Sequence, residues 1–339
     1  MNAFFDDRQK LHNPKHFMVH GAIADNPEKP QRIDVLHKGA LDAGCYFQKP
    51  KDFGLGHISA IHSPRYLTFL QNIYRRWQYM EDAGSEVIPN IHPLYRTDSY
   101  PKSATGQSGF HQADTACPIS EHTWDAAYWS AQSALGLAEH ILLGAHSGYA
   151  LCRPPGHHAF SETASGFCYI NNSAIAAQYM RQAGKRVAIL DIDVHHGNGT
   201  QRIFYHRDDV LTISLHSDPA RFYPFFWGHA HERGSGYGSG FNMNIPLARN
   251  SADAPYLEAL KGALEQIDSF GTDIIVVALG LDASKNDPFA GLAITTDGFQ
   301  KISEAISELG RPMALVQEGG YLSDELGRNL SSFLAGVRV

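Results

Sequence analysis

The sequence has only four cysteines in 339 residues, Cys45, Cys117, Cys152 and Cys168, and no two of them form a CxxC pair. That scarcity excludes a disulfide scaffold and a cysteine-rich structural zinc site. The opening stretch MNAFFDDRQK lacks the apolar run of a secretory signal, so free thiols and a cytoplasmic setting are expected. No window approaches the roughly 18 uninterrupted apolar residues of a membrane-spanning helix, and no membrane partner is expected. Cationic side chains are not in excess either: 28 Lys and Arg face 35 Asp and Glu, a formal charge of −7. Nucleic acid is therefore excluded as the main partner, because phosphate binding needs clustered cations. Internal repeats and low-complexity tracts are lacking, and no composition shift marks a domain boundary.

What the chain does have is enough apolar sequence, 43% of its residues, to bury a substantial core. From about residue 122, helical segments alternate with short β-branched runs: helices at 122–144, 172–183, 253–269, 296–309 and 324–336, strands at 148–152, 186–192, 210–215, 273–279 and 312–317. This alternation predicts a single α/β domain over 1–339, with a central, mostly parallel sheet flanked by helices on both faces. Runs such as VAILDI, IIVVALG and MALVQ are apolar on both faces, as a buried parallel sheet requires. The first third predicts helices near 31–43 and 63–82. Residues 84–121 then form a long loop rich in Gly, Pro, Ser and Thr, with periodicity only near 110–116. Its aromatics and isolated charges (His92, Tyr95, Arg96, Asp98, Tyr100) favour a functional segment. The glycines of GSGYGSG, 234–240, lead into a strand-like run rather than a helix, which excludes a phosphate loop.

Polar residues concentrate where strands end. LCRPPGHHAF, ILDIDVHHGNG, TISLHSD, VVALGLDASKNDP and LVQEGGY each start as strands and finish in His, Asp, Glu, Gly or Pro, and ligands of open α/β sheets bind outside such ends. In an extended path Asp191, Asp193 and His195 share one side, and Asp282 approaches from a neighbouring strand. Two carboxylates and an imidazole with one open position suit a catalytic Zn²⁺ or similar ion. The alternative is that Asp191 and Asp193 only cap the following loop. Burial of so much charge favours a cation. The pair His157–His158 could supply the base and the acid of a hydrolysis, or be two surface loop residues. Tyr321, after paired glycines, could donate to an oxyanion or simply pack. Gly166, Phe167 and Tyr223 could line an apolar tunnel or belong to the core.

The motifs RPPGHHA, SGFCYINN, LDIDVHHGNGT, TISLHSDP, GLD followed by NDP, and EGGY together resemble, in order and spacing, the zinc-dependent deacetylases. These share the arginase–deacetylase fold and include the histone deacetylases. The resemblance covers most of the chain and is strongest to the bacterial acetylpolyamine amidohydrolase branch. It implies Asp193, His195 and Asp282 as zinc ligands, His157 and His158 as tandem catalytic histidines, and Tyr321 as the carbonyl-polarising tyrosine. It further implies that Asp191 supports His157. One structural K⁺ would be held at Asp191, Asp193, His195, Ser214, Leu215 and the His216 region, a second on the backbone of Phe204, Arg207, Val210 and Phe241. Gly166, Phe167 and Tyr223 would line the substrate tunnel.

Two departures stand out. Asn198 replaces the aspartate that many histone deacetylases place beside the second histidine. Thr105 and Ala116 stand where some polyamine enzymes carry acids, with Asp114 and Glu121 nearby. The implied activity is hydrolysis of N-acetylated polyamines (acetylputrescine, acetylcadaverine, acetylspermidine) to free amine and acetate, by a homodimer whose 84–121 segment narrows the entrance. The alternative substrate is acetyl-lysine in proteins, including histones. A binuclear manganese ureohydrolase would need more strand-end carboxylates, and a non-catalytic binder would have lost a ligand, the histidine pair or the tyrosine.

Overall fold

Apolar runs such as Val187–Asp191, Ile274–Leu279 and Met313–Gln317 have two faces to bury, and the structure supplies a core for each. The computed structural model describes residues 1–94 and 99–338. Its strands are β1 (Asn2–Phe4), β2 (His16–Val19), β3 (Ala22–Asp25), β4 (Tyr46–Gln48), β5 (Ser147–Ala150), β6 (Val187–Asp191), β7 (Val210–Ser217), β8 (Asn242–Leu247), β9 (Ile274–Leu279) and β10 (Met313–Gln317). The helices are α1 (Gln31–Asp42), α2 (Gly56–Ser59), α3 (Pro64–Gln78), α4 (Ala104–His111), α5 (Thr123–Leu142), α6 (Asn172–Gln182), α7 (Asn198–Phe204), α8 (Asp253–Ser269), α9 (Thr296–Ser307) and α10 (Leu326–Ala335). Eight strands form one parallel sheet in the order β4-β1-β5-β10-β9-β6-β7-β8, and β2 and β3 make a separate antiparallel hairpin.

Residues two apart on a strand share a face. Val187 and Ile189 of β6 therefore enter one core with α3, α5 and α6, while Ala188 and Leu190 enter a second with α1, α8, α9 and α10. The chain leaves β5 and skips two positions to build β6, then returns to fill them with β9 and β10. The strand order reverses there, which opens a crevice at the carboxyl ends of the central strands. Among the described residues no helix is long and apolar enough to cross a membrane, and all four cysteines are free and buried.

Two expectations need correction. The helix expected over 63–82 stops at Gln78; Ser63 caps its start by accepting from the Tyr66 N–H, with Pro64 in the first turn. The 84–121 segment is not an open loop: a β-bridge between Val87 and Ile119 ties its ends, and it contains α4, begun by a Ser103 cap. Helical structure thus falls at 104–111, ahead of the expected 110–116. His92 and Tyr100 hydrogen-bond within the segment, to Gln112 O (2.8 Å) and His111 Nε2 (2.9 Å). Tyr95, Arg96 and Asp98 lie outside the described residues.

Candidate active site

β6 ends at Asp191, and the chain then bends so that strand alternation no longer holds. Asp191 Oδ1 accepts the Asp193 N–H (3.1 Å), and Asp193 Oδ1 accepts the His195 N–H (2.9 Å). The loop-capping role is therefore real, but each carboxylate keeps a second oxygen for other work. Asp191 does not share a side with the other two, as simple alternation implied: its Oδ2 turns to His157 Nδ1 at 2.9 Å. Asp193, His195 and Asp282 converge, with ligand atoms within 4.8 Å of one another and all three residues buried. His195 Nδ1 lies 3.1 Å from Asp193 Oδ1 and 3.2 Å from Asp282 Oδ2.

This donor set fits a divalent cation. Asp282 Oδ2 is buried and has no hydrogen-bond donor among the described residues. Glycines shape the surroundings: a Cβ at Gly319 would stand 2.1 Å from Asp282 Oδ2, and one at Gly280 would stand 2.3 Å from Asp193 Oδ2. Burial and then the Asp193 charge push the Asp282 carboxyl up to about 6. Burial works against a charged His195, yet the adjacent Asp193 and Asp282 carboxylates hold it up to about 9. Two buried carboxylates require positive charge, and a cation bound by the imidazole lone pair supplies it in place of that proton.

The tandem histidines differ in charge. Burial opposes a charge on His157, but Asp191 and Asp193 raise its pKa well above the ordinary value, so it is a cation. His158 is held well below the ordinary range by burial and by the neighbouring His157 and His195 charges. Its Nδ1 lies 2.7 Å from Asn198 Oδ1. That oxygen only accepts, so the proton is on Nδ1 and the Nε2 lone pair is free. Glu318 fixes the turn beneath the pair: its Oε2 accepts from Gly156 N (2.6 Å) and His157 N (3.1 Å), its Oε1 from Ser173 Oγ (2.7 Å).

Tyr321 is 3% exposed, and burial keeps its phenol protonated by raising its pKa well above the ordinary value. Asp287 holds its backbone, Oδ2 accepting the Tyr321 N–H and Oδ1 the Phe289 N–H, each at 2.9 Å. Arg32, from α1, donates to Gly320 O (2.5 Å) and Glu318 O (2.8 Å) and lies 4.9 Å below the tyrosine ring. Glu28 in turn pairs with Arg32 and Arg153. Arg32, Glu28, Asp287 and Glu318 were given no role at sequence level; Asp287, in NDP, and Glu318, in EGGY, stood inside quoted strand-end motifs, whereas Glu28 and Arg32 gave no local signal.

A cavity of about 670 Å³ leads to these groups, with His157, His158, His195 and Tyr321 at its floor and Gly166, Phe167 and Tyr223 in its wall. Gly166 has φ +49°, and a Cβ there would meet His158 Cδ2 at 2.6 Å and Tyr223 Oη at 2.8 Å. Tyr223 Oη bonds Ser165 Oγ and Asp114 Oδ2, both at 2.7 Å. Ala116 lines the cavity, whereas Thr105 bonds the Met80 sulfur and Glu121 is exposed, both outside the lining. Asp191 and Ser214 are register partners and line a small polar cavity with His196. Beside it, Ser214 Oγ meets His216 Nδ1 at 2.8 Å and Leu215 enters the core. Phe204 O accepts the Arg207 N–H (2.9 Å), Phe241 O the Thr212 N–H (3.0 Å), and Val210 opens β7.

A buried acid–acid–imidazole cluster, a histidine pair and a tyrosine, all at carboxyl ends of a parallel sheet, define a hydrolase of the deacetylase class. Residues 26–337 match the histone deacetylase domain, and the chain belongs to that family. It is 44% identical to the acetylpolyamine amidohydrolase of Burkholderia pseudomallei, over 99% of this chain and 98% of that one. The acetylpolyamine amidohydrolase of Mycoplana ramosa is 38% identical over 99% of both chains. The crystal structure of the Burkholderia pseudomallei enzyme superposes with a TM-score of 0.96 over 99% of this chain and 98% of its own.

Proposed function

We propose that the protein is a zinc-dependent amidohydrolase that removes acetyl from N-acetylated polyamines such as acetylputrescine, acetylcadaverine and acetylspermidine, releasing free amine and acetate. One observation carries this reading: a neutral histidine and a protonated tyrosine flank the Asp193–His195–Asp282 cluster at the floor of a narrow aromatic cavity. A Zn²⁺ held by those three residues would supply Lewis acidity toward the carbonyl oxygen and a more acidic water. His158 Nε2 takes the proton of the attacking water as the new C–O bond forms. It returns that proton to the amine nitrogen as the C–N bond breaks. Tyr321 Oη donates to the carbonyl oxygen as charge develops on it. His157, held cationic by Asp191, adds positive charge beneath the reacting centre. Phe167 and Tyr223 hold the methylene chain and exclude water.

Asp191 and Ser214, on a small polar cavity, are the residues that would hold one structural K⁺, with the backbone of Asp193, His195 and Leu215 and the His216 region. A second K⁺ would rest on the backbone of Phe204, Arg207, Val210 and Phe241. Exposed Ile91 and Leu94 suit the 84–121 segment to a homodimer contact that narrows the entrance. Free buried thiols suit the reducing cytoplasm.

Turnover of acetylputrescine and of an acetyl-lysine peptide, measured side by side on zinc-loaded protein, tests the substrate. Acetylputrescine is expected to have the higher kcat/KM, and a preference for the peptide would overturn the choice. His158→Ala with zinc retained is expected to abolish turnover. A monomeric mass in solution would remove the dimer.

A further inference from the structure

The two aromatic walls that hold the methylene chain, Phe167 and Tyr223, both stand on irregular backbone. Phe167 has φ +67° and follows Gly166 at φ +49°. They occupy a tight turn closed by hydrogen bonds from Cys168 N to Ser165 O (2.8 Å) and from Ser165 N to Cys168 O (3.0 Å). A bulky residue at positive φ is strained, and it stays there only where the surroundings hold the turn. Tyr223 comes from the connection between β7 and β8, and its ring stands edge-on to His158, centroids 5.0 Å apart and planes at 89°.

One carboxylate supports both walls. Ala113 N donates to Ala164 O and Ala164 N to His111 O, each at 2.8 Å, so residues 111–113 of the 84–121 segment run beside residue 164 as a strand would. That pairing sets Asp114 against the Ser165–Phe167 turn. Asp114 Oδ2 accepts from Ser165 Oγ (2.9 Å), Gly166 N (3.2 Å) and Tyr223 Oη (2.7 Å), and Oδ1 accepts from Ala116 N (2.9 Å). Ser165 Oγ and Tyr223 Oη are themselves 2.7 Å apart. Hydrogen bonds to an ionised acceptor are stronger than neutral ones, and here they tie three separate connections together. On its other side the turn meets the histidine pair: a Cβ at Gly166 would stand 2.6 Å from His158 Cδ2. Gly166 is thus pinned between Asp114 and His158.

We infer that Asp114 is a positioning residue for the hydrolysis. It fixes Phe167 through the Ser165–Gly166 turn and Tyr223 through its hydroxyl, and it acts on the substrate chain and on His158 through them. The inference rests on the deacetylase reading, and it gives the 84–121 segment a task inside its own subunit. A misplacement of about 1 Å at a site that positions reacting groups costs up to about 10²-fold in rate.

The test uses the zinc-loaded full chain with N-acetylputrescine as substrate. Asp114→Ala should lower kcat/KM about 10²-fold at unchanged zinc content and circular dichroism. Part of that loss should be a rise in KM of about threefold or more, which a smaller folded fraction, lowering only kcat, does not produce. Asp114→Asn keeps an acceptor for the backbone N–H groups and an amide that pairs with the two hydroxyls, so it should recover turnover to within about fivefold of the wild type. Tyr223→Phe keeps the ring, cuts one tether and should cost about tenfold. The double variant of Asp114→Ala with Tyr223→Phe should fall no more than about twofold below Asp114→Ala alone, where independent sites would multiply their losses. Should Asp114→Ala fail to fold, Tyr223→Phe and Ser165→Ala each remove one tether and carry the same test through KM. An unchanged KM in Asp114→Ala or in both tether variants, an Asn variant as damaged as the Ala variant, or multiplied losses in the double variant would overturn the inference while leaving the deacetylase reading intact. Absence of turnover by the wild type would overturn that reading, and the inference with it.

Discussion

Gly319→Ala isolates the geometry of the metal cluster, because it adds one methyl group and removes no hydrogen-bonding group. The added Cβ would stand 2.1 Å from Asp282 Oδ2 and 2.5 Å from Asp193 Oδ2, where real contacts do not fall below 3.0 Å. Either β10 or the two carboxylates must move by about 1 Å, and tight packing on both faces of the sheet resists the first. Metal–ligand distances tolerate about 0.2 Å. A displacement of this size resembles loss of a supporting residue, which costs about 10–100-fold in affinity, or about 1.4–2.8 kcal/mol. Competition against a chromophoric chelator measures zinc affinity, and circular dichroism reports whether the fold persists. The control is Gly262→Ala in α8, where an added Cβ meets nothing within 4 Å. That change should leave zinc affinity unchanged and raise stability by up to about 1 kcal/mol. If Gly319→Ala bound zinc as tightly as the wild type, Asp193 and Asp282 would not be the ligands.

Asn198→Asp puts an anion 2.7 Å from His158 Nδ1. His158 accepts a proton only while neutral, and its depressed pKa places the acid limb of kcat/KM below about 6.5 in the wild type. The aspartate stabilises the imidazolium, so the limb should move up by about 1 unit or more while activity at pH 8 is unchanged; an unmoved limb would refute this control. Tyr321→Phe removes one oxyanion donor and should lower kcat about 10²–10³-fold at unchanged zinc content, seen by metal analysis beside steady-state kinetics. Glu28 is the counter-charge of Arg32 and Arg153, both 1% exposed. Glu28→Gln should cost about 3–5 kcal/mol in denaturant unfolding, because it leaves two buried cations without their anion.

The helices and strands after residue 122 were legible because their signal is local. The segment expected at 253–269 is α8, Asp253–Ser269, and that expected at 273–279 is β9, Ile274–Leu279. β1 and β4 gave no such signal, since each has three residues and is a strand only through pairing within the sheet, β1 with β5 and β4 with β1. α4 was obscured by its glycines and serine, and it persists through the Ser103 cap and the burial of Phe110 and His111. The same division runs through the site. Asp191, Asp193, His195 and Asn198 crowd one short stretch, so their chemistry is legible in the order of the residues alone. Glu28, Arg32 and Asp287 acquire their roles only by meeting groups far away in sequence, and a glutamate just before α1 with an arginine four residues on in its first turn looks like an ordinary solvated pair. Reaction type is therefore encoded in contiguous motifs, while the buried pairings that hold the site in place belong only to the folded chain.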